Sequence, residues 1–488
     1  MKIFGYFLIL SLPICMFSCS GCGGSSSDEN VNAYPESFVV ASNTLATAAS
    51  VTESKIKINE FNPEASFKEK TKVINAIVNS TTIDDCKISL PILPTPGNNP
   101  RASCYGPVVE YQFHLDSPGS SDIGSLPPGD LGLWTSNDGS QACTAAQMNA
   151  IVNNMSAKVD SGLLLAASMV CIMNANGQGL PSAGSSISLT TELNDAIQVN
   201  NPNTTISTAS LERLEDSDGH PVYKYSIVST TLIGTESFTY STYLKHIPTV
   251  DDNSSYKGKI WGSLEPSTSV NATAYSVTYE KENTAIKAKL TSAFSVLAKD
   301  SLLDSDGNIP VTGPWNQNFN YALFNIDSET GLGTVSYSWQ AGAQDSHTRV
   351  FNVFTEQNGN VVSGCGFFGY GQKVDKSTGT LPTNTISTFI CNWAGPSNTH
   401  VGKVNMAQKQ CVEKNSSGYF VSTEDNIGYS PVNDCFNTTN QFNSAGFFGI
   451  RLPGGSTWDT SERPNNLVDL TTDTDYTNYT APVAPSDI

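Results

Sequence analysis

The sequence predicts an α+β fold: a helical N-terminal part followed by a mainly antiparallel β region, a sandwich or a strongly curved sheet, clipped by disulfides. Three observations predict it. Apolar residues recur every three or four positions up to about residue 175, and every second position from about residue 205. Eight cysteines are spread downstream of residue 80 in a chain with only 15% charged residues, and Ser, Thr and Asn dominate the polar positions.

The elements follow in order. Asn62-Pro63-Glu64 is a helix start: Asn caps free amides, Pro suits the first turn and Glu complements the dipole. Phe67, Ile74, Ile77 and Val78 then share one face, and Lys68, Lys70 and Lys72, interspersed with Glu69, read as its solvated side. Residues 86–142 are rich in Pro and Gly and read as loops clipped by disulfide.

A second helix opens at Thr144-Ala145-Ala146-Gln147, a capping box. Its apolar positions are Met148, Val152, Met155, Val159, Leu163, Ala166, Val170 and Met173, and Gly177 is placed to end it. If that helix is continuous, Cys143 and Cys171 stand roughly 40 Å apart and cannot pair, so each must reach back to Cys86 or Cys104. The competing model bends the chain at Asp160-Ser161-Gly162 into a hairpin and joins Cys143 to Cys171.

In the β region, Val335, Tyr337, Trp339 and Ala341 alternate with Ser336, Ser338 and Gln340, predicting a strand with one buried and one wet face. Similar alternation runs through Tyr223, Tyr225, Ile227, through Tyr275, Val277, Tyr279, and through Ile286, Ala288, Leu290 against Lys287 and Lys289. Turn chemistry separates the runs at Asp218-Gly219, Asp306-Gly307, Glu329-Thr330-Gly331 and Asn358-Gly359-Asn360. An aromatic core including Trp261, Trp339 and Trp393 is expected here. DSDGHPV at 216–222 echoes DSDGNIPV at 304–311, and GFFG occurs at 366–369 and 446–449. Cys365, Cys391, Cys411 and Cys435 pair most simply as Cys365 with Cys391 and Cys411 with Cys435.

The chain thereby divides into 1–21, a signal; 22–60, a flexible polar tether; 61–200, a helical and loop region; 201–355, an antiparallel β region; 356–470, a disulfide-clipped β region; and 471–488, an acidic, proline-tipped tail expected to be disordered.

The run from Ile3 to Phe17 is apolar apart from Ser11, follows Lys2, and is too short to span a membrane, as a secretory signal peptide is. It abuts CMFSCSGCGGSSSDEN, residues 15–30, in which Cys15, Cys19 and Cys22 fall within eight positions. Small residues abutting a cysteine resemble the lipobox of bacterial lipoproteins, a resemblance confined to the first 25 or so residues. It implies cleavage before a cysteine that is then acylated on sulfur and nitrogen. Cys22 follows Ser20 and Gly21 and leaves eight cysteines to close as disulfides; the alternative, Cys19, follows the bulky Phe17 and leaves Cys22 over. Gly23, where an Asp would imply inner-membrane retention, implies the outer membrane by the same resemblance. The expected location is therefore a lipid anchor in the outer membrane, facing the periplasm or the surface.

Once Lys2 leaves with the signal, 25 basic residues face 45 acidic ones, and a net charge near −20 repels phosphate backbones, which excludes a nucleic-acid partner. His114, His220, His246, His347 and His400 are scattered singly, and no HExxH, paired CxxC, haem or nucleophile-elbow motif occurs. Asp345-Ser346-His347 carries three triad residue types that neighbours on a strand cannot bring together. Asp304, Asp306 and Asn308 offer alternating oxygens to calcium, yet Leu302 and Gly313 stand where a full loop has acids, so a hairpin turn is the preferred reading. No cofactor is implied. The function expected is a membrane-anchored exported lipoprotein, non-enzymatic, that binds an unidentified ligand or builds envelope structure. The alternatives are an envelope carrier of lipid or another hydrophobic ligand, which needs an apolar cavity, and a tethered hydrolase, which needs converging carboxylates.

Overall fold

The computed structural model describes residues 76–90, 110–114, 121–124, 161–250, 254–267, 272–295, 303–309, 319–327, 330, 332–341, 347–359, 361–371, 406–414, 420–431, 448–451, 473–486 and 488. The helix start at 62–64, the capping box at 144–147, and Cys19, Cys22, Cys104, Cys143, Cys391, Cys435, His400 and Trp393 lie outside these residues. Strands β1 (Glu110–His114) and β2 (Ser121–Gly124) form a small antiparallel sheet with β16 (Phe448–Arg451). Helix α1 occupies 161–175 among the described residues and α2 is Thr190–Gln198.

All remaining strands belong to one antiparallel sheet in simple sequential order. They are β3 (Ser185–Ser188), β4 (Thr204–Glu215), β5 (Pro221–Ile233), β6 (Glu236–Pro248), β7 (Ser255–Pro266), β8 (Ala272–Glu282) and β9 (Ala285–Ser295). Then follow β10 (Phe319–Asp327), β11 (Gly333–Ala341), β12 (His347–Asn358), β13 (Val361–Gly371), β14 (Met406–Lys414) and β15 (Phe420–Pro431). Thirteen strands in a single sheet replace the two-sheet sandwich offered by the sequence as one of two architectures. The boundary expected at 355/356 falls inside β12, so the two predicted β regions are one body.

Local chemistry explains the meander. Asp218-Gly219 turns β4 into β5 and Gly359, at φ +63°, turns β12 into β13, as predicted. Two further two-residue turns escaped the sequence reading: Gly234-Thr235 between β5 and β6, and Asn283-Thr284 between β8 and β9, where Asn283 has φ +53°.

The inner face of the sheet carries the predicted alternating residues Tyr223, Tyr225, Ile227, Tyr275, Val277, Tyr279, Ala288 and Leu290, packed against α1 and α2. Among the described residues the largest fully buried side chains are Tyr225, Tyr256, Tyr275 and Tyr279, while Trp261, expected in the core, is half-buried on the outer face. Room for these rings comes from glycine on the next strand. Gly258 pairs with Tyr279 and Gly262 with Tyr275, and a Cβ at Gly258 would stand 2.2 Å from the Tyr279 hydroxyl.

Helix α1 is buried on every side, not along a stripe: Leu163, Leu164, Ala166, Ala167, Ser168, Met169, Val170, Ile172 and Met173 are all 0% exposed. Each large apolar side chain contributes roughly 1.5–3 kcal/mol. Gly162 lets the helix meet Thr242 of β6, and the side away from the sheet is covered by residues 77–90. That cover is tied down by the Cys86–Cys171 disulfide, by Ser168 Oγ donating to Cys86 O at 2.7 Å and by Asn174 Nδ2 donating to Val78 O at 2.7 Å. Cys171 thus reaches back to Cys86, one of the two partners that a continuous helix would leave it, and not to Cys143 as the hairpin would have it. Gly177 ends α1 at φ +63°, with Gln178 N–H on Met173 O and Gly177 N–H on Asn174 O, a Schellman cap.

The outer face corrects two expectations. Ser336, expected on a wet face, is buried, and so are Ser263, Ser276 and Thr278 on the same side of the sheet. They lie under two segments of the chain itself, residues 303–309 and the C-terminal 473–486. The tail expected to be disordered crosses the sheet as a strap, beginning with the short helix α3 (Thr474–Thr477). The Asp475 carboxylate approaches Cys365 on β13, Tyr479 OH donates to Val335 O at 2.9 Å and bonds Ser336 Oγ at 2.7 Å on β11, and the Asn325 amide on β10 pairs with the Val483 backbone. Ser486 N–H and Oγ reach Glu280 Oε2 on β8 at 3.0 and 3.1 Å. Cys365, Phe354, Thr334, Asn325, Lys287 and Glu280 form a single register row, which the strap follows. Composition suggested disorder because it cannot count these four anchors; buried Pro482 and Pro485 need no ladder partner.

Cys365 on β13 pairs with its direct neighbour Cys411 on β14, with Cα atoms 4.0 Å apart. The expected bond from Cys365 to Cys391 is therefore not formed. Pairing neighbours in sequence ignored the register, which places position 411 opposite position 365.

Candidate functional site

The outer face carries a cross-strand row in which Glu212, Lys224, Lys245, Lys259, Thr278 and Lys289 stand opposite one another on β4 to β9. Lysines directly opposite repel. In a chain as acidic as this one, three adjacent lysines need local compensation, and the two echoed DSDG segments supply it.

The two segments are the same turn. In the first, Asp216 Oδ1 accepts from Asp218 N–H at 2.9 Å and His220 N–H at 2.8 Å, and Gly219 N–H donates to Asp216 O. In the second, Asp304 Oδ1 accepts from Asp306 N–H at 2.9 Å and Asn308 N–H at 2.8 Å, and Gly307 N–H donates to Asp304 O. The side chain at the fifth position closes each turn onto the remaining carboxylate oxygen: His220 Nδ1 lies 3.1 Å from Asp216 Oδ2, and Asn308 Nδ2 donates to Asp304 Oδ2 at 3.1 Å. Burial raises both carboxyls, but the three hydrogen bonds that each accepts outweigh it and hold both below their usual range.

They differ in position. Residues 216–220 make the β4–β5 hairpin, whereas 304–308 belong to the long connection between β9 and β10 and lie flat on the outer face, not in a hairpin as the sequence suggested. Ile309 packs on Ala272, Ala274, Ala293 and Tyr321, and Gly307, at φ +73°, rests on the Trp261 indole, where a Cβ would come within 2.4 Å of the ring. Trp261 is stacked on Tyr243, and the Lys259 ammonium sits 5.6 Å from its ring.

Lys259 is the centre of this arrangement. It is 6% exposed, and its Nζ donates to Asp306 O at 2.6 Å and to Asn308 Oδ1 at 2.5 Å. Burial brings its pKa down to about 8, with nearby Lys289 adding to the effect and Asp304 opposing it. Lys245 is lowered too, by burial and by Lys224 and Lys257. The Asn308 Oδ1 and the Asp306 backbone carbonyl thus face an ammonium ion of the protein itself, in the loop whose Asp304, Asp306 and Asn308 offered alternating oxygens to calcium in the sequence.

The other sequence candidates stay apart. His246 is fully buried on the inner face, edge-on to Tyr256 and 3.5 Å from Tyr279 OH. His347 opens β12, and His114 ends β1. Cys365 and Cys411 lie near Asp475, but as a disulfide they offer no thiolate to a metal. Lys259 itself escaped the sequence reading. Its signal was there in the Lys257 and Lys259 alternation of β7, combined with the DSDG echo, but only the fold places one over the other.

No protein-family model, no curated protein and no solved structure matches this chain.

Proposed function

We propose that the chain is an exported lipoprotein, acylated at Cys22 and held by that lipid at the outer membrane, whose folded part is a non-enzymatic ligand-binding or envelope-structural module. The observation that carries this reading is the pair of disulfides, Cys86–Cys171 in the core and Cys365–Cys411 across two strands. Such bonds persist in oxidising compartments and match a chain that opens with a secretory signal.

The arrangement of the two faces supports a rigid module. Helix α1 fills the inner face with side chains at 0% exposure, in the position where a carrier would need its apolar cavity. Among the described residues the outer face is spanned by the 303–309 segment and the strap.

The test is the N-terminus of the membrane-extracted protein. Mass spectrometry is expected to find a peptide beginning at Cys22 and carrying acyl chains, and Cys22→Ala is expected to release the protein from the membrane fraction. An unmodified N-terminus at any other residue overturns the proposal.

A further inference from the structure

The geometry points to an intramolecular amide bond between Lys259 Nζ and Asn308 Cγ, a self-catalysed cross-link that fastens strand β7 to the β9–β10 connection. Three groups converge: an amine, a carboxamide and a carboxylate. Lys259 Nζ is 2.5 Å from Asn308 Oδ1, and a C=O bond is about 1.23 Å long, so the carboxamide carbon lies within about 3.7 Å of the amine. That is close to the separation of a near-attack conformer. The carboxylate of Asp304 holds the other end of the same amide, accepting from Nδ2 at 3.1 Å, at the nitrogen that would leave.

The choice of residues is itself informative. A buried ammonium is ordinarily matched by a carboxylate. Here Lys259 faces a neutral carboxamide at position 308, with the acid one step behind it. An Asp at 308 would make the better ion pair; an Asn makes an electrophile. The twin turn serves as an internal contrast, since 216–220 repeats every backbone hydrogen bond but carries His220 at the equivalent position. The loop is also held in place without Lys259, by Gly307 on Trp261 and by Ile309 in its apolar cluster. The amine is partly neutral near pH 7, because burial brings its pKa to about 8.

The step balances without an outside reagent. Lys259 releases one proton to solvent, and the lone pair of the neutral amine forms the bond to Asn308 Cγ as it rolls out of the carboxamide plane. A second proton of the attacking nitrogen passes to Nδ2, relayed by the Asp304 carboxylate that already accepts from that atom, and the Cγ–Nδ2 bond breaks as ammonia leaves and takes up a proton from water. The ammonium and the carboxamide become a secondary amide and an ammonium ion. Asn308 lies at the exposed surface of its turn, so ammonia escapes directly to water.

The experiment is a tryptic map of the full mature chain, extracted folded from membranes and then reduced and unfolded. A branched peptide joining Gly258–Lys281 to Asp300–Arg349, about 17 Da lighter than the two together by loss of ammonia, is expected. Trypsin cannot cut at a modified Lys259. Quantitative recovery of a free Ile260–Lys281 peptide, which requires an unmodified Lys259, overturns the inference whatever any variant does. Asn308→Ala and Lys259→Arg are expected to abolish the branched species. In Asp304→Ala it is expected to form at least tenfold more slowly, with the rate rising from pH 7 to pH 9 as the amine neutralises. The proposal does not rest on acylation at Cys22: a cross-linked chain without lipid supports the one and refutes the other.

Discussion

Gly258 and Gly262 show how much of this fold is decided by a missing side chain. Both lie on the inner face of β7, opposite Tyr279 and Tyr275, and the neighbouring strand's carbonyls at Lys245 and Ser241 stand 2.4 and 2.0 Å from where a Cβ would be. Neither obstacle is the loose end of a surface side chain. Gly258→Ala is expected to cost about 1–3 kcal/mol through displacement of the ring or the strand, read as a lower urea midpoint with an unchanged slope. The control is Gly179→Ala, where nothing lies within 4 Å and no comparable loss is expected. Lys259 makes the complementary point. Its strand position was legible as alternation, but the loop that removes its water is sequence-distant, so its depressed pKa could not be foreseen.

At the scale of elements, α1 and the C-terminal strap were read with opposite success. A helix over the described stretch 161–175 and its end at Gly177 were legible because helix period and a left-handed glycine are local properties, whereas its burial on every side was not. The strap has no repeat and little apolar content. It is ordered because Tyr479 finds two partners on β11 and Ser486 reaches Glu280, whose carboxyl is held below its usual range chiefly by the Ser486 N–H. Tyr479→Phe leaves the Val335 carbonyl and the Ser336 hydroxyl without this partner in a buried place. It is expected to lower stability by about 1–3 kcal/mol and to raise amide exchange selectively in 479–486, with the α1 amides unchanged. Equal loss of protection in both would show that the strap does not open as a unit.

The described part of the large sheet is covered on both faces, so stability depends on pH through groups that the covering buries. Burial pushes the pKa values of Tyr275 and Tyr321 from 10.0 up to about 12. Between pH 10 and 12 the unfolded chain has released these protons and the folded chain still holds them. Fewer protons bound when unfolded means stability that falls as pH rises, present in full below pH 10 and lost by 12. Each tyrosine contributes at most about 2–3 kcal/mol. Urea midpoints measured from pH 9 to pH 12 are expected to fall, and near-ultraviolet titration should show tyrosinate appearing together with unfolding. Tyrosinate forming near pH 10 in the folded protein would contradict the burial.

Strand, turn and helix assignments came from the sequence wherever the cause is local: alternation at Tyr275, Val277 and Tyr279, turn glycines at 219 and 359, and the stop at Gly177. The even number of cysteines beyond Cys22 pointed to disulfides, two of which are formed among the described residues, and a continuous helix left Cys171 the choice of Cys86 or Cys104, of which the fold takes Cys86. Which cysteine meets Cys365, what covers the serines of the outer face, and why two DSDG turns exist were decided by register. In a thirteen-strand meander a side chain's neighbours are set by the strands beside it, often far away in sequence. Tertiary structure alone brought Asn308 over Lys259, 49 residues earlier, because no local preference couples a loop to the strand that it covers.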